Sequence, residues 1–230
     1  MGDAMTTKVD LYSGQGFAEL VSSMGSDSTP ARSARVSLDN DTADSTPERD
    51  ARLVKYLAQH EHLSPFEHCV ATLRIKCPLF IARQIMRHRT FAFNEISRRY
   101  TDEGVELLRM DTLRQQHDTR LQCSTDETLE DEELAELVEG VNRIALSAYH
   151  TLIEKGVARE QARAVLPQSM LTTFWMSGSL RNWAHFLRLR LDSHAQPEAQ
   201  ELARGAASIL RSLYPVSLDA LLGEDEGDHE

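Results

Sequence analysis

Between Leu134 and Leu152 the apolar residues fall at Leu134, Leu137, Val138, Val141, Ile144, Ala145, Ala148 and Leu152. Steps of three and four residues put all of them on one side of a helix that turns 100° per residue. Ser124 and Glu127 stand at capping-box spacing ahead of the stripe, and Gly156 stands beyond its end. The expectation is one long helix from about residue 127 to near Gly156. So long an apolar stripe has to be covered, by the chain's own core or by a second subunit.

Around it the chain alternates strand and helix signals. Lys8 to Tyr12 reads as a strand ending at Gly14 and Gly16; Phe17 to Met24 reads equally as strand or helix. Residues 39–47 are a turn-rich connection. Thr46 then suits an N-cap and Pro47 a first helical position, with helix over Glu48 to His60. Cys69 to Ile75 is a strand, and Pro78 opens a helix to about His88. Helices are expected over 157–166, 180–191 and from Pro197 to Leu213, with a strand over 170–177. The fold class is α+β: a helix-rich single domain over 1–222 with a small mixed or antiparallel sheet. The acidic residues 223–230 are expected to be an unstructured tail.

The net charge is −11, which disfavours a nucleic acid polymer as partner. No apolar run is long enough to cross a membrane. The three cysteines, Cys69, Cys77 and Cys123, make no CxxC and suit a reducing, cytoplasmic setting. Against this acidic background the stretch 87–100, RHRTFAFNEISRRY, holds Arg87, Arg89, Arg98 and Arg99 with one acid, Glu95.

Three helical stretches carry the positive charge. In 78–89, Leu79, Ile81, Ala82, Ile85 and Met86 share one side, and Arg83, Gln84, Arg87 and His88 the other. In 157–167, Arg159 and Arg163 are four apart and point the same way, with Glu160 as a local partner for Arg163. In 179–196, Leu180, Ala184, Leu187 and Leu191 make a core stripe beside Arg181, His185 and Arg188, while Arg190 falls between Trp183 and Phe186. Guanidinium forks, aromatic rings and amides in one set suit phosphate oxygens, a pyrimidine edge and a flat cofactor ring.

Other motifs fail on inspection. GQGFAE has Glu19 where a dinucleotide loop needs its third glycine. HEHLS is not HExxH, and His60, His62 and His68 lack acids or cysteines at ligand spacing. Ser97 has no readable His and Asp partners, so it reads as a phosphate or base ligand before a nucleophile.

Arg87-His88-Arg89, seven residues, then Ser97 resembles the RHR-x7-S signature of the flavin-dependent thymidylate synthases. The likeness extends through Gln84-Ile85-Met86 and through Asn94-Glu95-Ile96-Ser97-Arg98-Arg99-Tyr100. His62 to His68, Arg163 to Pro167, Leu187 to Arg190 and Asp192 to Ala195 follow in the family's order, so the resemblance covers about residues 8–212. It implies a homotetramer with active sites and FAD at subunit interfaces. It implies methylation of dUMP to dTMP, with methylenetetrahydrofolate as carbon donor and NADPH as reductant.

By position, Gln84, Arg87, Glu95, Ser97, Arg98, Arg99, Arg163 and Arg190 would surround dUMP. Ser64, Arg87, His88, Arg89, Glu95, Ser179, Arg181 and His185 would contact FAD, with His194 nearby. Arg190 would be the catalytic activator, stabilising charge as N3 loses its proton or as charge builds on the ring oxygens. Ser64 stands where many members have Thr; Ser179 and His185 stand where Asn is common. Arg98 stands where Gly is frequent, so its contact is expected through the backbone. Two other readings stay open: a flavin and nucleotide binder without catalysis, and a helical interaction protein using the 127–155 stripe.

Overall fold

The computed structural model describes residues 6–40, 45–110 and 112–223. β1 (Lys8–Leu11) and β2 (Gly16–Met24) form an antiparallel hairpin. α1 (Ser28–Arg35) follows, ending in a 3-10 turn at Val36–Leu38. α2 (Pro47–Gln59) starts as its sequence predicts, with the Thr46 hydroxyl accepting the Arg49 N–H at 3.3 Å. A 3-10 turn at Ser64–His68 leads into β3 (Val70–Pro78) and α3 (Leu79–Ile85). β4 (Ala92–Glu95), β5 (Leu113–Gln116) and β6 (Ser124–Leu129) precede α4 (Glu132–Glu154). After α5 (Arg159–Ala162) come β7 (Leu171–Ser179), α6 (Leu180–Leu191), α7 (Pro197–Leu213) and α8 (Pro215–Leu222).

Among the described residues one sheet has the order β1-β2-β3-β7-β4, every pair antiparallel, and β5 and β6 form a separate ribbon. The ambiguous stretch after Gly16 is therefore strand, paired with β3 from Phe17↔Lys76 to Met24↔Val70 around a bulge between Leu20 and Ser22. Ala18, Ala71, Leu73, Ile75, Cys77, Phe174 and Met176 are all at most 1% exposed and make the inner face. α7 lies across β1 to β3, and α6 packs against β7 and α7. The opposite sheet face carries Phe17, Arg74 and Trp175, and Trp175 is 49% exposed.

Two expectations change. The capping-box start at Ser124 is overturned: Ser124–Leu129 pairs with β5, and Asp131 caps α4 by accepting the N–H groups of Glu133 and Leu134. Alternating side chains with Thr125 and Thr128 favour the ribbon, and an acid one residue before the helix is the better cap. The helix expected over 157–166 is four residues of α5 plus a 3-10 turn at Arg163–Val165, cut short as Leu166 turns extended ahead of Pro167. Of the two covers open to the α4 stripe, the chain's own fold supplies a part: Val138, Ala145, Ala148 and Leu152 are half-buried, while Leu137 is 62%, Val141 54% and Ile144 71% exposed. Beyond Gly223 the acidic stretch lies outside the described residues. Among the described residues no helix is long and apolar enough to cross a membrane.

Candidate active site

α3 ends at Ile85, so the wheel that placed His88 on the polar side with Arg83 does not reach it. The His88 N–H turns back to the Ile85 carbonyl at 3.1 Å, and its ring swings inward to 9% exposure. There it stands edge-on to Phe186, with ring centroids 5.0 Å apart, and 6.3 Å from His185. Arg190, on the last turn of α6, donates its Nε–H to His88 Nε2 at 3.1 Å. Burial, with the charge of Arg190 and the neighbouring His185, pushes His88 down to about 4. The ring is therefore neutral near pH 7, and its proton sits on Nδ1, since Nε2 accepts. Burial also lowers Arg190 from its ordinary value.

The phenylalanines between the arginines serve the core. Phe91 packs edge-on to Trp183, centroids 4.8 Å apart, and Phe93 against Phe174 at 6.0 Å. Trp183 is fully buried and donates its ring N–H to the Ala71 carbonyl at 3.1 Å. Arg190 thus leans on His88, with Trp183 sealed beneath. The aromatic cluster pins the chain on both sides of Thr90, so Arg87 and Arg89 are held on a short exposed turn.

α6 carries several of the polar side chains singled out above. Its cap Ser179 accepts the Asn182 N–H at 3.4 Å, Arg181 pairs with Glu67 at 2.6 Å beside Ser64, and His185 is exposed one turn on. His194 follows the helix, its Nδ1 2.9 Å from Asp192, whose carboxyl is held low chiefly by the His194 backbone N–H. Gln84 donates its amide to Gln196 at the start of α7.

A second cluster forms after β4. Glu95 accepts the Thr172 hydroxyl at 2.6 Å. Ser97 Oγ accepts the Arg99 N–H at 3.3 Å, and Arg99 lies 5.7 Å over the Tyr100 ring. Arg99 and Tyr100 line a cleft of about 330 Å³ with Ala158, Arg159 and Glu160, and Arg163 follows directly on α5. Arg159 is drawn off to Asp102 at 3.1 Å, and Arg163 donates to the Glu160 carbonyl at 3.4 Å, so the two are not a matched pair. Arg98 is buried and spends its guanidinium on the carbonyls of Glu103 and Gly104 at 2.6 and 3.0 Å, so its side chain is committed to its own loop.

The chain thus brings together His88, Arg190 and His185, and separately Ser97 with Arg99, whose cleft is closed by Arg159 while Arg163 stays exposed beyond it. Among the described residues no hydrogen bond or ion pair joins the two clusters. Sequence reasoning missed Gln196, Glu198 and Arg114, which support Gln84; no local motif marks them, since the Gln84–Gln196 and Arg114–Glu198 bonds span 112 and 84 positions of chain.

A family model described as thymidylate synthase complementing protein matches residues 19–216. A flavin-dependent thymidylate synthase of Thermus thermophilus is 42% identical over 203 residues, covering 88% of this chain and 74% of that protein. One from Thermosipho africanus is 40% identical over 210 residues, covering 90% and 91%. Among solved structures, the UMP/dUMP methylase PolB of Streptomyces cacaoi bound with 5-Br dUMP superposes with a TM-score of 0.77 at 32% identity, covering 90% of this chain and 94% of that one. The same methylase with 5-Br UMP gives 0.79 at 31% identity, covering 90% and 93%.

Proposed function

This chain belongs to the flavin-dependent thymidylate synthase family, and from that premise we propose that residues 1–222 are one catalytic domain that methylates dUMP to dTMP with bound FAD. Methylenetetrahydrofolate is the carbon donor and NADPH the reductant in this reading, and the reaction runs in the cytoplasm. The observation that carries it is the Arg190–His88 pair, a cation held in a half-dry pocket by a neutral acceptor.

The donor set fits FAD. Arg87, Arg89 and Arg181 offer cations for a diphosphate; Ser64, Ser179, His185 and His194 offer hydroxyls and imidazoles for a polar flavin rim. FAD supplies the two-electron redox chemistry that completes the methyl group.

The protein's residues do the rest. Ser97, Arg99 and Arg163, with Arg87, hold the phosphate of dUMP, and the backbone at Arg98 closes around it. Gln84, Glu95 and Arg190 hold the nucleoside. Arg190 stabilises negative charge on the pyrimidine as C5 becomes a nucleophile, and a low-dielectric pocket strengthens that effect. The two buried thiols have no part in this. Burial pushes Cys69 up to about 11 and drives Cys77 up as well, so neither ionises near neutral pH.

Assembly completes the site. Two separated clusters, exposed Leu137, Val141 and Ile144 on α4 and an open sheet face are what a homotetramer with interface active sites requires. The test is the purified protein's spectrum and tritium release from [5-³H]dUMP. A yellow protein should release tritium only with the folate and NADPH present. A colourless protein, or a yellow one that releases none, would refute the enzyme reading.

A further inference from the structure

Arg98 is buried in a place that does not neutralise it. Its neighbours part from it: Ser97 is half-buried and Arg99 exposed, while Arg98 turns inward to 5% exposure. The chain reverses here, with the Tyr100 and Thr101 N–H groups on the Ser97 carbonyl at 3.0 and 3.3 Å. The Arg98 guanidinium fills the loop that follows, donating Nη1–H to the Glu103 carbonyl at 2.6 Å and Nη2–H to that of Gly104 at 3.0 Å. Its Nε–H meets no acceptor. The Tyr149 hydroxyl on α4, near enough to feel the charge of Arg98, is likewise buried without a partner.

Carbonyls satisfy the donors of a guanidinium without cancelling its charge, and a guanidinium does not shed its proton. Asp102 is the acid at hand, since its charge also reaches the Tyr149 hydroxyl. Asp102, however, is taken by Arg159 at 3.1 Å, and that hydrogen bond is the chief cause holding its carboxyl below the ordinary value. Glu103 contributes its carbonyl, and its side chain is exposed. Among the described residues Arg98 makes no ion pair. A buried charge without a counterion is costly, and a glutamine NH2 could bridge the same carbonyls with no charge at all. Bracing the loop does not by itself account for an arginine. Just outside, the Arg99 guanidinium makes no hydrogen bond or ion pair among the described residues and lies over the Tyr100 ring, facing the cleft.

We propose that Arg98 is a positioning residue that also acts as a buried, non-contacting cation, supporting from behind the phosphate that Ser97 and Arg99 hold, and so favouring a nucleoside monophosphate over the bare nucleoside. The proposal rests on the reading of dUMP as substrate with its phosphate at Ser97 and Arg99. A phosphate monoester brings a charge of about −1.5 to −2 at pH 7. Its arrival gives the Arg98 charge the counterion that the folded chain lacks. Attraction across the turn needs no contact, and it is strong where protein rather than water fills the gap. A buried cation is also little screened by salt.

Two substitutions at this position separate charge from bracing. Arg98→Lys keeps the cation; Arg98→Gln keeps an NH2 for the carbonyls without it. Equilibrium binding of dUMP and of deoxyuridine to the FAD-loaded protein is the readout. The Gln variant should bind dUMP at least about fivefold more weakly than the Lys variant, while deoxyuridine binds the two within about twofold of each other. A smaller gap for dUMP, or deoxyuridine weakening in step with it, would overturn the proposal. If either variant does not fold, Arg98→Gly decides, glycine being frequent at this position in the family. Its preference for dUMP over deoxyuridine should fall at least about fivefold against the unaltered protein, and a smaller fall would overturn the proposal. Arg99→Ala keeps the two readings apart. If it leaves dUMP affinity unchanged, the phosphate is not held at Arg99 and the reading of the site fails. If it weakens dUMP while the Lys and Gln variants at 98 bind alike, the proposal alone fails.

Discussion

Gly178 offers a sharp test of how the core holds the site. It lies buried in β7, opposite Ala71 of β3. A methyl group added there would meet Cδ1 and Cε1 of Phe91, each at 2.5 Å. Ordinary contact needs roughly 1 Å more, so the ring must move. It has little room: Phe91 is 8% exposed and stands edge-on to Trp183 at 4.8 Å and Phe186 at 6.2 Å. Gly178→Ala should therefore cost about 1–3 kcal/mol, the usual range for overpacking. The displacement also bears on function, because the Phe91 N–H bonds the His88 carbonyl at 3.3 Å and His88 holds Arg190. Urea unfolding gives the stability and tritium release gives the activity. Phe91→Ala alone should cost about 3–5 kcal/mol. In that background Gly178→Ala should be nearly neutral, a coupling of about 1–3 kcal/mol. Gly178→Ala within about 0.5 kcal/mol of the unaltered protein, or an additive double variant, would refute the packing account.

Other expectations are simpler to read. Glu61 has φ 54° after α2, where His62 N–H bonds the Leu57 carbonyl at 2.9 Å and Glu61 N–H that of Ala58 at 3.1 Å, a Schellman ending without glycine. Glu61→Gly should raise stability by up to about 1 kcal/mol in denaturant melts. Asp27 caps α8 from a distance, accepting the N–H groups of Val216 and Ser217 at 2.9 and 2.7 Å; Asp27→Ala should cost about 1–2 kcal/mol by the same measurement. At Asp50 burial raises the carboxyl, but hydrogen bonds from Ser45 and Arg35 and the charge of Arg35, 2.6 Å away, hold it below its ordinary value. A depressed carboxyl stabilises fully above its unfolded pKa near ~4 and loses that contribution as pH falls through the folded value. Asp50→Asn should therefore flatten the acid limb of stability against pH. Ile144→Glu, on the uncovered α4 face, should shift sedimentation toward smaller species and lower tritium release together.

The elements that carry the candidate site were legible because their signals are local. Thr46-Pro47 opens α2 as read, and the Leu180, Ala184, Leu187 periodicity puts α6 on the core, all three at most 3% exposed. The arginine-rich stretch and Ser97 could be singled out because their charge is anomalous in an acidic chain. α8 went unread, although Pro215 marks its first position, because its cap is Asp27, 189 residues earlier in the chain.

What the chain by itself determined is which residues have the periodicity, caps and charge to form helices, strands and a cluster of cations, since these depend on neighbours within a turn or two. Only the tertiary structure decided which way they face. It turned His88 inward where α3 stops, hid Arg98 against its own loop, left part of the α4 stripe exposed and linked Gln84 to Arg114. Each of those outcomes depends on burial and on hydrogen-bond partners that meet only after the chain has folded back on itself, and no local spacing encodes that meeting.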